Sequence, residues 1–154
     1  MRHTLDKRGW RDGPWIYEPD SVFWVDEATY LPCLILRIPD VGHLCGYVGI
    51  PQSHPVFGKG CKDVPGRVHG GITYSDHKIT SVSDEHDRYA DYYWLGFDCG
   101  HLGDLCPGSR VDSDRGGSYR DIGYVRDEVG RLAEHLFGML SPLQHLARAA
   151  DDGI

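Results

Sequence analysis

Between residues 20 and 50 the apolar positions come in short runs that stop at proline or at charge. "SVFWVDE" and "LPCLILRIP" are two such runs, rich in β-branched and aromatic residues, and both read as strands. "LCGYVGIP" follows the turn "PDVGH", which predicts an antiparallel pair between 34–38 and 44–50. Residues 51–67, with their prolines, glycines and lysines, read as a loop. "RVHGGITYS" reads as a short strand interrupted by Gly70 and Gly71, and glycines inside a strand mark a bulge or a close approach to the backbone. The polar run "DHKITSVSDEHDRYAD" predicts a mobile loop. "YYWLGFD" then resumes a strand, with Tyr93, Leu95 and Phe97 on one face and Tyr92, Trp94 and Asp98 on the other.

After the glycine- and charge-rich connection "PGSRVDSDRGG" the period changes. Ile122, Val125, Val129, Leu132 and Leu136 recur at spacings of three and four and form the apolar stripe of a helix. Arg126, Asp127, Glu128, Arg131 and Glu134 fall on its wet side. "SYRD" ahead of it resembles a capping box, with Ser118 as the cap and Asp121 reaching back. Gly123, Gly130 and Gly138 each weaken the helix by about 1 kcal/mol relative to alanine, so packing on the sheet must hold it. "LQHLARAA" predicts a second short helix. Strands first and a helix last give an α+β fold: a curved, mainly antiparallel sheet with one long C-terminal amphipathic helix packed on one face.

With 154 residues, 40% of them apolar, the chain fits a single domain with a sizeable core. Residues 1–20 mix charge, Gly and Pro with Trp10, Trp15 and Tyr17 and predict a partly packed arm. The core is expected over 21–140, and a short helix or tail over 141–154. No run reaches the roughly 18 apolar residues of a membrane span, and the first residues lack a secretory h-region, so a cytoplasmic protein with no membrane partner is expected. The net charge of −7 and the absence of a basic patch argue against direct binding to a nucleic-acid backbone. The same acidity suits a protein that mimics nucleic acid towards a host defence protein. Five cysteines without a CxxC pair argue against a disulfide framework or a zinc knot.

Three segments carry candidate chemistry. In "GFDCGHLGD", Asp98, His101 and Asp104 are spaced by three, and imidazole with carboxylate suits a general acid–base pair or a divalent metal. Asp98 is expected to orient His101 or His69, and Asp104 to act as a metal ligand or second carboxylate. Cys99 beside Asp98 makes a poor nucleophile, because like charge disfavours its thiolate. His69 precedes Gly70 and Gly71, whose bare backbone leaves an approach path and could offer amides to an anion. In "GIPQSHPVFGKG", His54 and Lys59 would form the lip of a pocket, with Lys59 facing phosphate. Trp94 and Tyr92 could stack a flat group.

The pattern "CGYVGIPQSHPVFGK", "VHGGITYS", "YWLGFDCGHLGD" and "YRDIGYVRDEVGRLAEHL" resembles a largely uncharacterised group of small bacterial and phage proteins that share HGG(I/L)T and GFDxxHxGD. The resemblance spans about three fifths of the chain, and His54, His69, Asp98, His101 and Asp104 are the matching positions. It implies a cytosolic, phage-associated protein that would work in the host cytoplasm, with counter-defence as the associated role. The reading that unites these features is a glycine-walled pocket that binds or hydrolyses a small nucleotide-like ligand, as a monomer or a homo-oligomer. An acidic inhibitor of a host protein and a metal-dependent hydrolase of another substrate are the alternatives.

Overall fold

The computed structural model describes residues 1–79, 87–110, 116–141, 143 and 146. Among these residues five strands form one open antiparallel sheet: β1 Ser21–Val25, β2 Pro32–Arg37, β3 Leu44–Ile50, β4 Tyr74–Asp76 and β5 Tyr93–Asp98. They lie in the order β1-β2-β3-β5-β4. A 17-residue helix, α1 Ile122–Gly138, covers one face. The architecture is therefore α+β, as the change from a period of two to a period of 3.6 indicates. Part of the polar run at 76–91, part of the connection at 107–117 and most of the segment expected as a second helix lie outside the described residues. No helix among the described residues is long and apolar enough to cross a membrane.

Alternation along the strands sorts the core into two layers. Cys33, Ile35, Leu44, Val48, Ile50, Tyr93, Leu95 and Phe97 face α1 and meet Val125, Val129, Leu132, Ala133 and Leu136. Leu34, Cys45, Tyr47 and Trp94 point the other way and are covered by Ile79 and Tyr89. Gly46 sits where the helix crosses β3. A Cβ there would come within 2.6 Å of Val129 Cγ2 and 2.7 Å of Phe97, so the bare backbone sets how closely helix and sheet approach.

Two local expectations need correction. Of "RVHGGITYS" only Tyr74 and Ser75 are strand, at the start of β4, because Gly70 and Gly71 adopt φ of +69° and +83° and take the chain out of the ladder. The helix cap is Asp121, whose side chain accepts from Tyr124 N at 2.8 Å. Ser118 instead bridges its backbone to Asp104.

His54 is built into this fold. It is 3% exposed, its Nδ1 accepts from Val56 N–H at 3.1 Å, and its Nε2–H donates to Leu136 O at 2.7 Å. The ring thereby ties the 51–57 loop to the C-terminal end of α1 and must be neutral. Burial pushes its pKa down, against the upward pull of the Leu136 carbonyl. The folded ring therefore binds its proton less readily than a free imidazole, which titrates near about 6.5. The stabilisation is complete above that pH and is lost as the pH falls below it, levelling once the folded ring is protonated. Melting temperatures recorded from pH 7.5 to 5 should fall, and His54→Gln should flatten that slope while lowering the whole curve.

Candidate active site

The site forms where β5 ends. Cys99 N–H closes the ladder onto Leu44 O at 3.0 Å, and the chain then turns through 100–104, with Gly103 at φ +94°. Asp104 N–H donates to His101 O, and the Asp104–Ser118 bridge docks this turn beside the start of α1. The Asp104 side chain folds back into the turn and is 3% exposed.

Three donors converge on that carboxylate. His69 Nε2 lies 2.7 Å from Oδ2, His101 N–H 3.1 Å from the same oxygen, and Arg120 Nε 3.1 Å from Oδ1. Burial alone would raise the Asp104 carboxyl, but these donors outweigh it and hold the pKa below the usual carboxylate range. Asp104 is thus ionised and can only accept, so His69 Nε2 carries the proton it donates. The other ring nitrogen, Nδ1, lies 2.7 Å from Tyr124 Oη. In the neutral imidazole it accepts, and the phenol donates. Burial, with Glu128 beside it, raises the Tyr124 pKa, so the hydroxyl keeps its proton. Arg120 lies over the Tyr124 ring, 4.9 Å from the centroid. The result is a directed chain, Tyr124 to His69 to Asp104, whose anionic end is buried and whose phenolic end is partly exposed.

His101 stands beside this chain, its ring 6.1 Å from that of His69. Its Nε2 is 3.5 Å from Asp98 Oδ1 but out of line for a hydrogen bond, and the atom is sealed from solvent. Gly70 does the sealing. A Cβ at that position would overlap His101 Cδ2 and Nε2, and the φ of +69° already excludes most side chains. Gly70→Ala is expected to cost about 1–3 kcal/mol and to displace the His101 ring, measurable by denaturant unfolding and by the His101 ring resonances. Asp98 is held by Gly100 N–H at 3.0 Å and Thr73 Oγ1 at 3.1 Å.

His69, Asp98, His101 and Asp104 therefore meet: Asp98 stands beside His101, as one of the two expected pairings has it, but not beside His69. The partner of His69 is Asp104, because strand alternation turns Asp98 away from the helix-covered face. Asp104 spends both oxygens on nitrogen donors, and among the described residues no three His, Cys, Asp or Glu side chains are placed to hold a metal ion. One of those donors is the His69 imidazole. His54 lies in the core, as described. Lys59 is exposed on the loop whose carbonyl at 59 accepts from Tyr93 Oη, at the opposite end of β5. Five strand steps of about 3.3 Å separate that end from Asp98. Trp94 is 1% exposed and cannot stack on a ligand. Gly70 and Gly71 supply shape, and Gly71 N–H is spent on Val68 O. Cys99 is buried, and desolvation followed by the Asp104 charge pushes its thiol up.

Arg120 and Tyr124 are the residues that sequence reasoning missed. Tyr124 lies in the first turn of α1 and Arg120 just ahead of the Asp121 cap, and no spacing rule marks a residue outside the helix as a neighbour of one inside it. No protein-family model, curated protein or solved structure matches the chain.

Proposed function

We propose that this protein hydrolyses a small nucleotide-like substrate, using His69 as a general base that acts through the Tyr124 hydroxyl. The observation that carries this reading is the pair of 2.7 Å contacts from Tyr124 Oη to His69 Nδ1 and from His69 Nε2 to Asp104. A water bound at Tyr124 Oη gives its proton to that oxygen as the phenol passes its own to Nδ1. The hydroxide attacks the substrate, and the imidazolium that forms is stabilised by the ionised Asp104. The proton then returns through Tyr124 to the leaving group, so the protein ends as it began. Arg120 stands where negative charge builds up during attack, and such fixed charge acts strongly in a partly dry site. His101 stands beside Asp98 with its Nε2 covered by Gly70, so it borders the chain without joining the proton transfer.

The test is incubation of purified protein with cyclic and linear nucleotides and nucleosides, with products resolved by mass spectrometry. Hydrolysis by the native chain that disappears in His69→Ala supports the proposal. Depletion of a ligand that heating returns intact would mean sequestration and would overturn it, as would no change in any compound.

A further inference from the structure

Behind Asp98, on the sheet face that α1 does not cover, lies a hollow of about 350 Å³. That is within the roughly 300–1,000 Å³ range of small-molecule sites. A larger groove of about 820 Å³ runs between the β1–β2 turn and the outer side of α1, around Trp24, Glu27 and Arg131, but no histidine lines it. The smaller hollow instead shares Asp98 with the acid–base cluster.

Its lining is specific in what it lacks. Tyr47 and Tyr74 form aromatic walls, with ring centroids 5.2 Å apart and planes at 82°. Cys45 contributes an uncharged thiol, which burial pushes up to about 12. Thr73, His43 and Asp98 supply the polar groups, and no lysine or arginine lines the hollow. Asp98 is about a third exposed; among the described residues it accepts hydrogen bonds from Gly100 and Thr73 and has His101 Nε2 at 3.5 Å, against roughly four acceptor positions. A phosphate placed here would meet a carboxylate and no fixed cation. A flat group with N–H donors on its edge would meet ring faces and an acceptor.

We infer that this hollow recognises the base of the substrate, and that Asp98 selects bases with donors on the edge they present. The inference rests on the reading of the acid–base cluster and adds substrate orientation to it. The base lies against Tyr47 and Tyr74, and the rest of the substrate passes Asp98 around the end of β5 to the helix side, where Tyr124 and Arg120 stand. Affinity should therefore reside in the nucleoside, not in the phosphate, and should depend little on salt.

Calorimetric titration of the full chain with nucleosides and their 5′-monophosphates, at low and at moderate salt, tests this. A nucleoside should bind within about tenfold of its monophosphate. Methylation of its exocyclic amine should weaken binding by at least about tenfold. Asp98→Asn and Tyr74→Ala are read together, since Asp98 also holds the 98–100 turn, and each should weaken nucleoside binding by a similar factor in protein that still melts cooperatively. Undiminished binding by either folded variant, or binding of monophosphates but not nucleosides, overturns the inference. Nucleotide hydrolysis that requires His69 but survives both pocket changes would leave the acid–base reading standing and remove this one. Nucleoside binding without hydrolysis would do the reverse.

Discussion

Asp104→Asn is expected to lower turnover by about 10²–10⁴-fold, the range over which a positioned acid or base contributes. The substitution keeps the shape and removes the charge. Three N–H donors point at the two Asp104 oxygens. An asparagine amide has one oxygen, so its NH2 must face either Arg120 or His69. If it faces His69, the ring must accept at Nε2 and carry its proton on Nδ1, where it can no longer take the Tyr124 proton. If it faces Arg120, two donors oppose each other in a buried place, at about 1–3 kcal/mol. In either case the imidazolium loses its counter-charge. kcat/KM on the hydrolysed nucleotide, measured beside the melting temperature, separates chemistry from stability. Tyr124→Phe removes only the terminal hydroxyl and should lose activity of the same order while melting within a few degrees of the native chain. Retention of full activity by either variant would sink the relay.

Much of the fold was legible because strand and helix periods leave different marks. Tyr93, Leu95 and Phe97 against Tyr92 and Trp94 is a plain alternation, and the two layers of the core follow it. The helix stripe is equally direct, since Val125, Val129, Leu132 and Leu136 are all fully buried. Failures came where a local signal had two physical outcomes. Asp121 and Ser118 both suit a cap, and the bridge from Ser118 to Asp104 decides between them. Glycines at 70 and 71 allow a bulged strand or a departure from the sheet, and their positive φ values take the second course.

The site was legible in part: His69, Asp98, His101 and Asp104 meet, Arg120 and Tyr124 were not foreseen, and His69 pairs with Asp104, not with Asp98. The same alternation that puts Asp98 on the Trp94 face keeps it from His69, which works on the helix side, so the correct partner had to come from beyond the turn. Trp94 shows the complementary limit. Period two gave its direction, but whether that face was open depended on Ile79 and Tyr89, which sequence spacing does not place. His54 between two prolines looked like a rigid lip. Its ring, however, found a helix-end carbonyl 82 residues away, and no local pattern encodes that.

Arg37→Met should have the largest effect on stability, about 3–5 kcal/mol, because it leaves buried partners behind. The Arg37 side chain is fully buried. It donates through Nε to Asp20 Oδ1 at 2.9 Å and through Nη1 to Gly42 O at 3.0 Å and Tyr119 Oη at 2.8 Å. Its Nη2 reaches Pro19 O at 3.2 Å and lies 3.5 Å from Glu18 Oε1. Methionine fills much of the volume and offers none of these donors. Asp20 keeps Lys7 at 2.8 Å and the Thr4 and Leu5 amides at 2.9 Å each, so the loss is partial, not total. Glu18 matters beyond the arm: its Oε2 accepts from Ile122 N–H at 2.8 Å, the first turn of α1. Loosening Arg37 therefore frees residues 1–20 and unseats the helix end that carries Arg120 and Tyr124. At about 2–4 °C per kcal/mol for a domain of this size, the melting temperature should drop by about 6–20 °C. Limited proteolysis should cut the arm first. Lysine at 37 should rescue little, since one ammonium cannot reproduce a planar fork that serves five acceptors. A loss below about 1 kcal/mol for Arg37→Met would mean that water replaces those bonds, and that burial of the α1 stripe alone positions the acid–base chain.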